Sequence, residues 1–562
     1  MKERHIPVSW LITPLVLLFF WLAVSSMVGD SPTMDEQNHL ARGLAFLRTG
    51  DPRLSLEHPP LVNALSALPV LTLPNIQLPT DDPSWQRQPP DIYWYIFAEK
   101  LVWQYNHDVT RMIFLARLPI VFLTLGLALV GFQFAREAWG RPSALSALVF
   151  LLFEPNLLAH GRYTTTDLGG TAFLFLAAYL LWRMWRGKRW SMITGQWSIV
   201  NWLLASVGLG LAFGSKLSTL IFVPIFGLMA VLPLYSKRGW RTAVRRLLQF
   251  LTAGLASIGM VWVIFGFEYG PFLFPAAPWD QLNHLSGPMP TFWAGIAKIF
   301  DLGSGGRAAF LLGEFSTEGF PAYFPIAFLT KTPLPILLLL PLAAGLLLWE
   351  KRTRGTAVFF LVPPLLYFLF NLQSGLNIGY RHLLPMLPFL LVLISGLTVQ
   401  TLKISQTLRV YALRMGALWL LAVTLWIHPH YLSYFNVLAG GPTNGARILV
   451  DSNIDWGQDL LRLQQWMADN DVQTVKLGWF GTADPAYYGL NYEPMPGFPR
   501  PEFYGLWTNP PFNPAAPEPG VYAISVSSLW ESHWGEKSVY PWFRAREPDA
   551  RIGYSINIYD LR

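Results

Sequence analysis

Apolar residues in this chain gather into long runs, separated by short polar stretches. Runs of that length are the pattern of membrane-spanning helices rather than of half-buried strands or surface helices. The runs fall at 9–27, 111–133, 144–159, 168–185, 199–213, 218–235, 248–267, 325–349, 355–371, 383–400 and 414–430. They predict an all-α polytopic membrane domain of about eleven transmembrane helices. The first run is long enough to span and lacks a small-residue cleavage site, so it reads as a retained helix rather than a signal peptide. The least regular region is 199–235, where two short runs meet at "GSK" (Gly214 to Lys216). No sequence repeat is visible along the chain.

After Tyr431 no run could span. "DWGQDLLRLQQWMADN" (Asp455 to Asn470) reads as an amphipathic helix, and "VQTVKLGWF" and "GVYAISVSSLW" read as strands. The expected organisation is a transmembrane domain over 1–430, with a long first loop at 28–110, and a small α/β domain over 431–562. For Asp451, Asp455 and Asp459 the simplest reading is capping and solvation of that amphipathic helix.

Composition agrees with the membrane reading. Of 562 residues, 52% are hydrophobic and only 13% charged, against about 25% charged in soluble domains. There are no cysteines, so neither disulfides nor thiolate metal sites arise. The net charge of +7 is no nucleic-acid signature, because the basic residues sit in short clusters between apolar runs. Those clusters lie at Lys2/Arg4, Arg136/Arg141, Arg183 to Trp190, Lys237 to Arg246, Glu350 to Gly355, and Lys403 to Arg414. The positive-inside rule puts them in the cytoplasm. An odd number of spans then predicts a cytoplasmic N-terminus and an extracytoplasmic C-terminal domain, in a plasma (inner) membrane.

The polar loops with chemical character all fall on the outer side. In "SPTMDEQNHLARGLAFLRTGDP", Thr33 and Glu36 have the T-x-x-E spacing of a capping box, and Asp35 lies at the start of a helix closed by Gly50. Asp35, His39 and Arg42 share one face. Capping explains Glu36 but not that grouping, so Asp35 is a candidate catalytic carboxylate, and Glu36→Gln, which keeps the capping-box geometry, is expected to cost much less than Asp35→Asn. "LEHPPL" brings Glu57 and His58 before a double proline, and the run Leu61 to Leu73 is too short to span and suits the interface. Asp167, in "GRYTTTDLGG", is either an N-cap or a second acid facing Asp35. Three basic points stand at outer helix ends: Lys216 in "AFGSKLSTL", Lys331 in "FLTKTPLP", and Arg381 with His382 in "NIGYRHLLP". Each either snorkels or binds an anionic group such as a lipid phosphate. A carboxylate base beside cations suits transfer of a sugar from a polyprenyl phosphate: the phosphate leaves, the cations stabilise it, and the carboxylate deprotonates an acceptor hydroxyl.

The ordered pieces "MDEQNHLARG", "EHPPL", "GRYTTTD", "FGSKLS", "YFPIAFLTKTPLP", "NIGYRHLLPMLPF", "YLSYFNVLAGGPTNGARILVDSNIDWGQDLLRLQQWM" and "GWFGTADPAYYG" resemble the bacterial lipid-carrier-dependent glycosyltransferases of the GT-C fold. These are related to protein O-mannosyltransferases (glycosyltransferase family 39-like) and to the aminoarabinose transferase of lipid A. The resemblance implies that Asp35 is the catalytic aspartate, that Asp167 is the second-loop acid, and that Lys216 meets the donor phosphate. It also implies a metal-binding glutamate at Glu57, but no matching histidine set accompanies it; a divalent metal is the only cofactor it raises. The expected activity is inverting transfer to an acceptor hydroxyl. The competing class is a lipid or oligosaccharide transporter, or an envelope assembly protein. A transporter would carry its ionisable residues at mid-membrane, whereas here they gather near the outer ends. A ligase-type polymer transferase would use an outer arginine and histidine instead of the Asp-Glu loop.

Overall fold

The computed structural model describes residues 8–86, 93–186, 196–232, 239–274, 277–305, 307–402, 404–499, 507–508, 510–533 and 536–562. Lys2, Arg4, residues 187–190 and 237–238 of two basic clusters, and Lys403 lie outside them. Each predicted apolar run is mostly helical over its described residues; 233–235 of the run 218–235 lie outside them. Among the described residues seven helices are long and apolar enough to cross a membrane, including α1 (Val8–Val28), α4 (Val109–Ala138), α6 (Thr166–Arg186), α9 (Gly239–Ile264), α12 (Arg354–Asn371) and α14 (Gln406–Ile427). The seventh, Tyr380–Thr398, joins a 3₁₀ turn to α13 (Leu387–Ser395). An eighth apolar stretch is α10 (Tyr323–Lys331) with α11 (Leu334–Trp349), bent by 107°. The bend falls where Thr332 adopts the extended conformation that a following proline imposes. The other runs form shorter helices, α5 (Arg141–Phe153), α7 (Gln196–Phe213) and α8 (Phe222–Val231).

Large apolar side chains stand exposed along these helices, including Trp10 and Trp21 on α1, Leu251 and Leu255 on α9, and Leu418 on α14. That pattern suits lipid and is costly in water. The chain is a multi-pass membrane protein. Small residues let the helices meet: a Cβ on Gly208 of α7 would lie 3.2 Å from the Ala177 backbone of α6.

The loop over 28–110 is largely helical. It holds α2 (Glu36–Thr49), closed by left-handed Gly50, and α3 (Pro60–Ala67), which runs into a 3₁₀ turn through Thr72. The apolar run after the double proline is thus two short helical pieces. α2 and α3 touch backbone to backbone: a Cβ on Gly43 would lie 2.0 Å from the Asn63 carbonyl oxygen. Between α9 and α10 lie two short hairpins and the helix Pro290–Gly305.

C-terminal to the spans, residues from Tyr431 to Trp456 pack into the same apolar core as the membrane helices. A separate core begins with α15 (Leu460–Asp469) and covers a five-stranded sheet of order β4-β5-β3-β1-β2. Its strands are β1 (Val475–Gly478), β2 (Tyr492–Pro494), β3 (Val521–Ser525), β4 (Ala550–Ile552) and β5 (Ile556–Asp560). β1 runs parallel to β2 and β3; the other pairs are antiparallel. Both predicted strands are present. The predicted helix starts at Leu460 rather than Asp455, because the preceding acids are drawn inward. Asp455 and Asp459 are fully buried and neither caps nor meets solvent. Asp455 accepts the Ser527 N–H at 3.0 Å, and Asp459 accepts from Arg462 and from the Ser555 hydroxyl.

Candidate active site

Asp35 occupies the N-cap position of α2, yet its carboxylate accepts no capping hydrogen bond. It accepts instead from Arg381 Nη1, 2.8 Å away. The same guanidinium nitrogen lies 3.8 Å from Asp167. Asp167, in the first turn of α6, also accepts from Lys216 Nζ. Lys216 sits at the break between α7 and α8 in extended backbone. It reaches Asp167 over Gly170, where a Cβ would come within 2.8 Å of the lysine's own Cβ. Two carboxylates, one from the segment after α1 and one from the start of α6, are therefore laced together by two cations from two later segments. Burial pushes the Asp35 carboxyl up, but Arg381 and His39 outweigh it and hold it below its ordinary value.

Around this quartet, buried polar atoms stand without protein partners: Arg381 Nε, His382 Nε2, both ring nitrogens of His160, and the Thr165 hydroxyl. Buried polar groups are almost always satisfied, so such a gathering is what a polar ligand would complete. The indole of Trp456 lies under Arg381, with the guanidinium carbon 4.4 Å from the ring centroid. His160, Thr165 and Trp456 escaped the sequence analysis. The first two lie in the "HGRYTTTD" stretch that carries Asp167, and the third in "DWGQDL".

The other predicted residues play separate parts. Glu36 is fully buried and chelated by Arg117 at 2.9 and 2.7 Å. It also accepts the N–H groups of Thr33 and Thr164, both at 2.8 Å. Half of the capping box is present, but the residue's larger role is to neutralise a buried arginine. On that geometry Glu36→Gln disturbs more than a cap, because the carboxylate also answers a buried guanidinium. His39 Nδ1 is 2.9 Å from Asn63 Oδ1, and His58 Nδ1 is 3.1 Å from the Thr166 hydroxyl; the two rings meet edge to face at 4.9 Å. Burial depresses both, with the Arg42 charge adding to it; His39 falls to about 4 and His58 falls well below its ordinary value. Both rings are neutral near pH 7; His39 ties α2 to α3, and His58 ties the turn before α3 to α6. Arg42 donates to the Leu54 carbonyl at 2.9 Å and lies 3.8 Å from Glu57. Glu57 thus faces a cation, and among the described residues no three His, Asp or Glu side chains gather as metal ligands. The residues here do not fit a metal site at Glu57.

Lys331 does not join Lys216 and Arg381. It is 1% exposed, and its ammonium donates to the carbonyls of Leu432, Tyr434 and Asn453 while facing the Phe435 ring at 4.4 Å. All three donors are used by backbone, so it has none left for a phosphate. The reason is the bend between α10 and α11, which turns Lys331 into the segment after α14.

Known proteins share parts of this architecture. Residues 93–269 match the family described as dolichyl-phosphate-mannose-protein mannosyltransferase (PMT). The chain is similar to the structure of ArnT from Cupriavidus metallidurans bound to undecaprenyl phosphate, at 12% identity, with 98% of each chain covered and a TM-score of 0.50. The apo structure of the same ArnT aligns at 14% identity over 83% of this chain and 73% of that one, with a TM-score of 0.47. The Pmt1-Pmt2 complex of S. cerevisiae bound to the sugar donor aligns at 15% identity over 47% of this chain and 34% of that one, with a TM-score of 0.32. No curated protein matches the sequence. The overall fold is the one this chain shares with the ArnT structure bound to undecaprenyl phosphate. Within it, residues 93–269 form a mannosyltransferase-like segment.

Proposed function

We propose that this chain is an integral-membrane glycosyltransferase that moves a sugar from a polyprenyl-phosphate carrier to an acceptor hydroxyl on the outer face of the plasma membrane. The observation that carries the reading is the Asp35–Arg381–Asp167–Lys216 cluster, set among unpartnered buried polar atoms. The mannosyltransferase-like segment supports it, as does a fold shared with a protein solved with undecaprenyl phosphate bound. Eleven apolar helical stretches with basic inner loops favour a cytoplasmic N-terminus and an outer C-terminal segment.

In the quartet two negative and two positive charges balance. A donor phosphate entering it competes with Asp35 and Asp167 for Arg381 and Lys216. Once the phosphate takes Arg381, Asp35 loses the partner that depresses it and becomes a stronger base. Asp35 then takes the proton of the acceptor hydroxyl as its oxygen attacks the anomeric carbon. The bond from that carbon to the phosphate oxygen breaks, and its electron pair stays on the phosphate. Arg381 and Lys216 stabilise the departing charge. Direct displacement inverts the anomeric configuration. Donor binding thereby activates the base, which keeps it weak until the sugar is present.

The test is an assay of the purified protein against a panel of polyprenyl-phosphate sugars with hydroxyl acceptors. Release of polyprenyl phosphate with formation of an inverted glycoside is expected. Lipid movement across vesicles with no glycoside from any donor would overturn the reading in favour of a transporter.

A further inference from the structure

Arg381 is aimed by residues of the C-terminal segment. The turn Asp451–Asn453 sits against the stretch 378–381 that leads into the Tyr380–Thr398 span. The Ser452 hydroxyl donates to the Ile378 carbonyl at 2.5 Å. The Tyr380 N–H donates to Asn453 Oδ1 at 2.8 Å. Asn453 is itself fixed, donating to the Tyr323 hydroxyl at 3.0 Å and the Val450 carbonyl at 2.9 Å. The approach is so close that position 379 admits only glycine. Gly379 has φ +151, and a Cβ there would lie 2.2 Å from the Ser452 oxygen. The backbone on the N-terminal side of Arg381 is therefore pinned at two points, and Trp456 supplies the ring against which the guanidinium lies. Trp456 is 1% exposed and held on both sides of its peptide: its N–H donates to Gln458 Oε1 at 2.8 Å, and its carbonyl accepts the Met34 N–H at 2.9 Å. That last bond joins it to the residue before Asp35.

We infer that the C-terminal segment completes the active site, with Trp456 and the Ser452–Asn453 turn as positioning residues that orient Arg381 toward the donor phosphate and register it against Asp35. The inference rests on the glycosyltransferase reading above. It gives the "DSNIDWGQDL" stretch a role, in which its serine and asparagine pin a backbone and its tryptophan supports a cation. An arginine over a buried indole keeps its charge while losing rotational freedom, and its N–H fork stays free for in-plane anion contacts.

The experiment compares Trp456→Phe, Trp456→Leu and Ser452→Ala in the full-length protein, reading undecaprenyl-phosphate binding, donor and acceptor KM, kcat, the pH profile and the unfolding temperature. Phe keeps a π face and is expected to stay within a few-fold of wild type. Leu removes it and should weaken undecaprenyl-phosphate binding and raise donor KM about tenfold, with acceptor KM unchanged. Its acid limb of kcat/KM should move to higher pH, because a loosened Arg381 no longer depresses Asp35. Ser452→Ala deletes one atom and should show the same signature more weakly, which guards against a Leu variant that fails to fold. A purely structural role would lower the unfolding temperature and the active fraction while leaving donor KM and the acid limb in place, and that result overturns the inference alone. A wild type that neither binds undecaprenyl phosphate nor transfers sugar overturns both this inference and the reading beneath it.

Discussion

Replacing Glu36 by Gln is nearly neutral on the capping-box view and severe on the structure. The Glu36 carboxylate accepts four N–H groups. Oε1 takes Arg117 Nε at 2.9 Å and Thr164 N at 2.8 Å; Oε2 takes Arg117 Nη2 at 2.7 Å and Thr33 N at 2.8 Å. Either orientation of a Gln amide sets its NH₂ against two donors. The remaining hydrogen bonds of Arg117 go to the carbonyls of Met27, Asp30 and Ser31, so among the described residues Glu36 is its carboxylate partner at salt-bridge distance, with the Asp30 charge acting from farther off. The Glu36 and Arg117 side chains are 0% and 2% exposed. Removing one partner of such a pair costs about 3–5 kcal/mol, whereas replacing both by apolar residues costs much less. Against a total stability of about 5–15 kcal/mol, the single change takes a large share. The assay is equilibrium unfolding in mixed micelles of Glu36→Gln, Arg117→Met and the double variant Glu36→Leu/Arg117→Met. The double variant should be more stable than either single one. A Glu36→Gln variant within about 1 kcal/mol of wild type would refute the argument, since that is the scale of an exposed pair.

The two lysines should separate cleanly. Lys216→Met should weaken polyprenyl-phosphate binding with little change in unfolding temperature, and Lys331→Met should lower the unfolding temperature by stranding three buried carbonyls; the reverse pattern in paired binding and melting assays would exchange their roles. Burial raises the Asp455 carboxyl from 3.8 to about 8 against the hydrogen bonds from Ser527 and Gly457. A folded value above the unfolded one means stability is whole below the unfolded value and is lost as pH climbs through the folded value. Melting temperature should therefore decline across that window in wild type and less in Asp455→Asn, whose oxygen can still accept the Ser527 N–H; parallel declines would contradict the assignment.

What the sequence made legible was local or periodic. The apolar runs became helices because length and hydropathy are properties of a segment alone. Asp35 was separable from Glu36 because His39 and Arg42 recur on its helical face. Lys216 was conspicuous because a charge in an apolar run needs a partner. The pairings that decide roles were not legible, because their partners are far along the chain. Glu36 meets Arg117 across 81 residues and Asp35 meets Arg381 across 346. Nothing near Lys331 announces the three carbonyls that enclose it, since they belong to residues after α14. The acids of "DSNIDWGQDL" looked like a solvated helix start, and only the packing of that stretch against the membrane core shows Asp455 and Asp459 turned inward.

The measurement that bears most directly on the central claim is sugar transfer by Asp35→Asn. The Asp35 side chain is 27% exposed, makes no capping bond and has a single close ion pair. Arg381 keeps Asp167 as a second carboxylate 3.8 Å away, so the change should cost less stability than breaking the fully buried Glu36–Arg117 pair. It removes the group that takes the acceptor proton, a step worth about 10²–10⁴-fold. The account predicts a folded protein that still binds undecaprenyl phosphate and transfers sugar at least about a hundred times more slowly. Transfer at the wild-type rate by a folded Asp35→Asn protein would contradict it and move the base to Asp167.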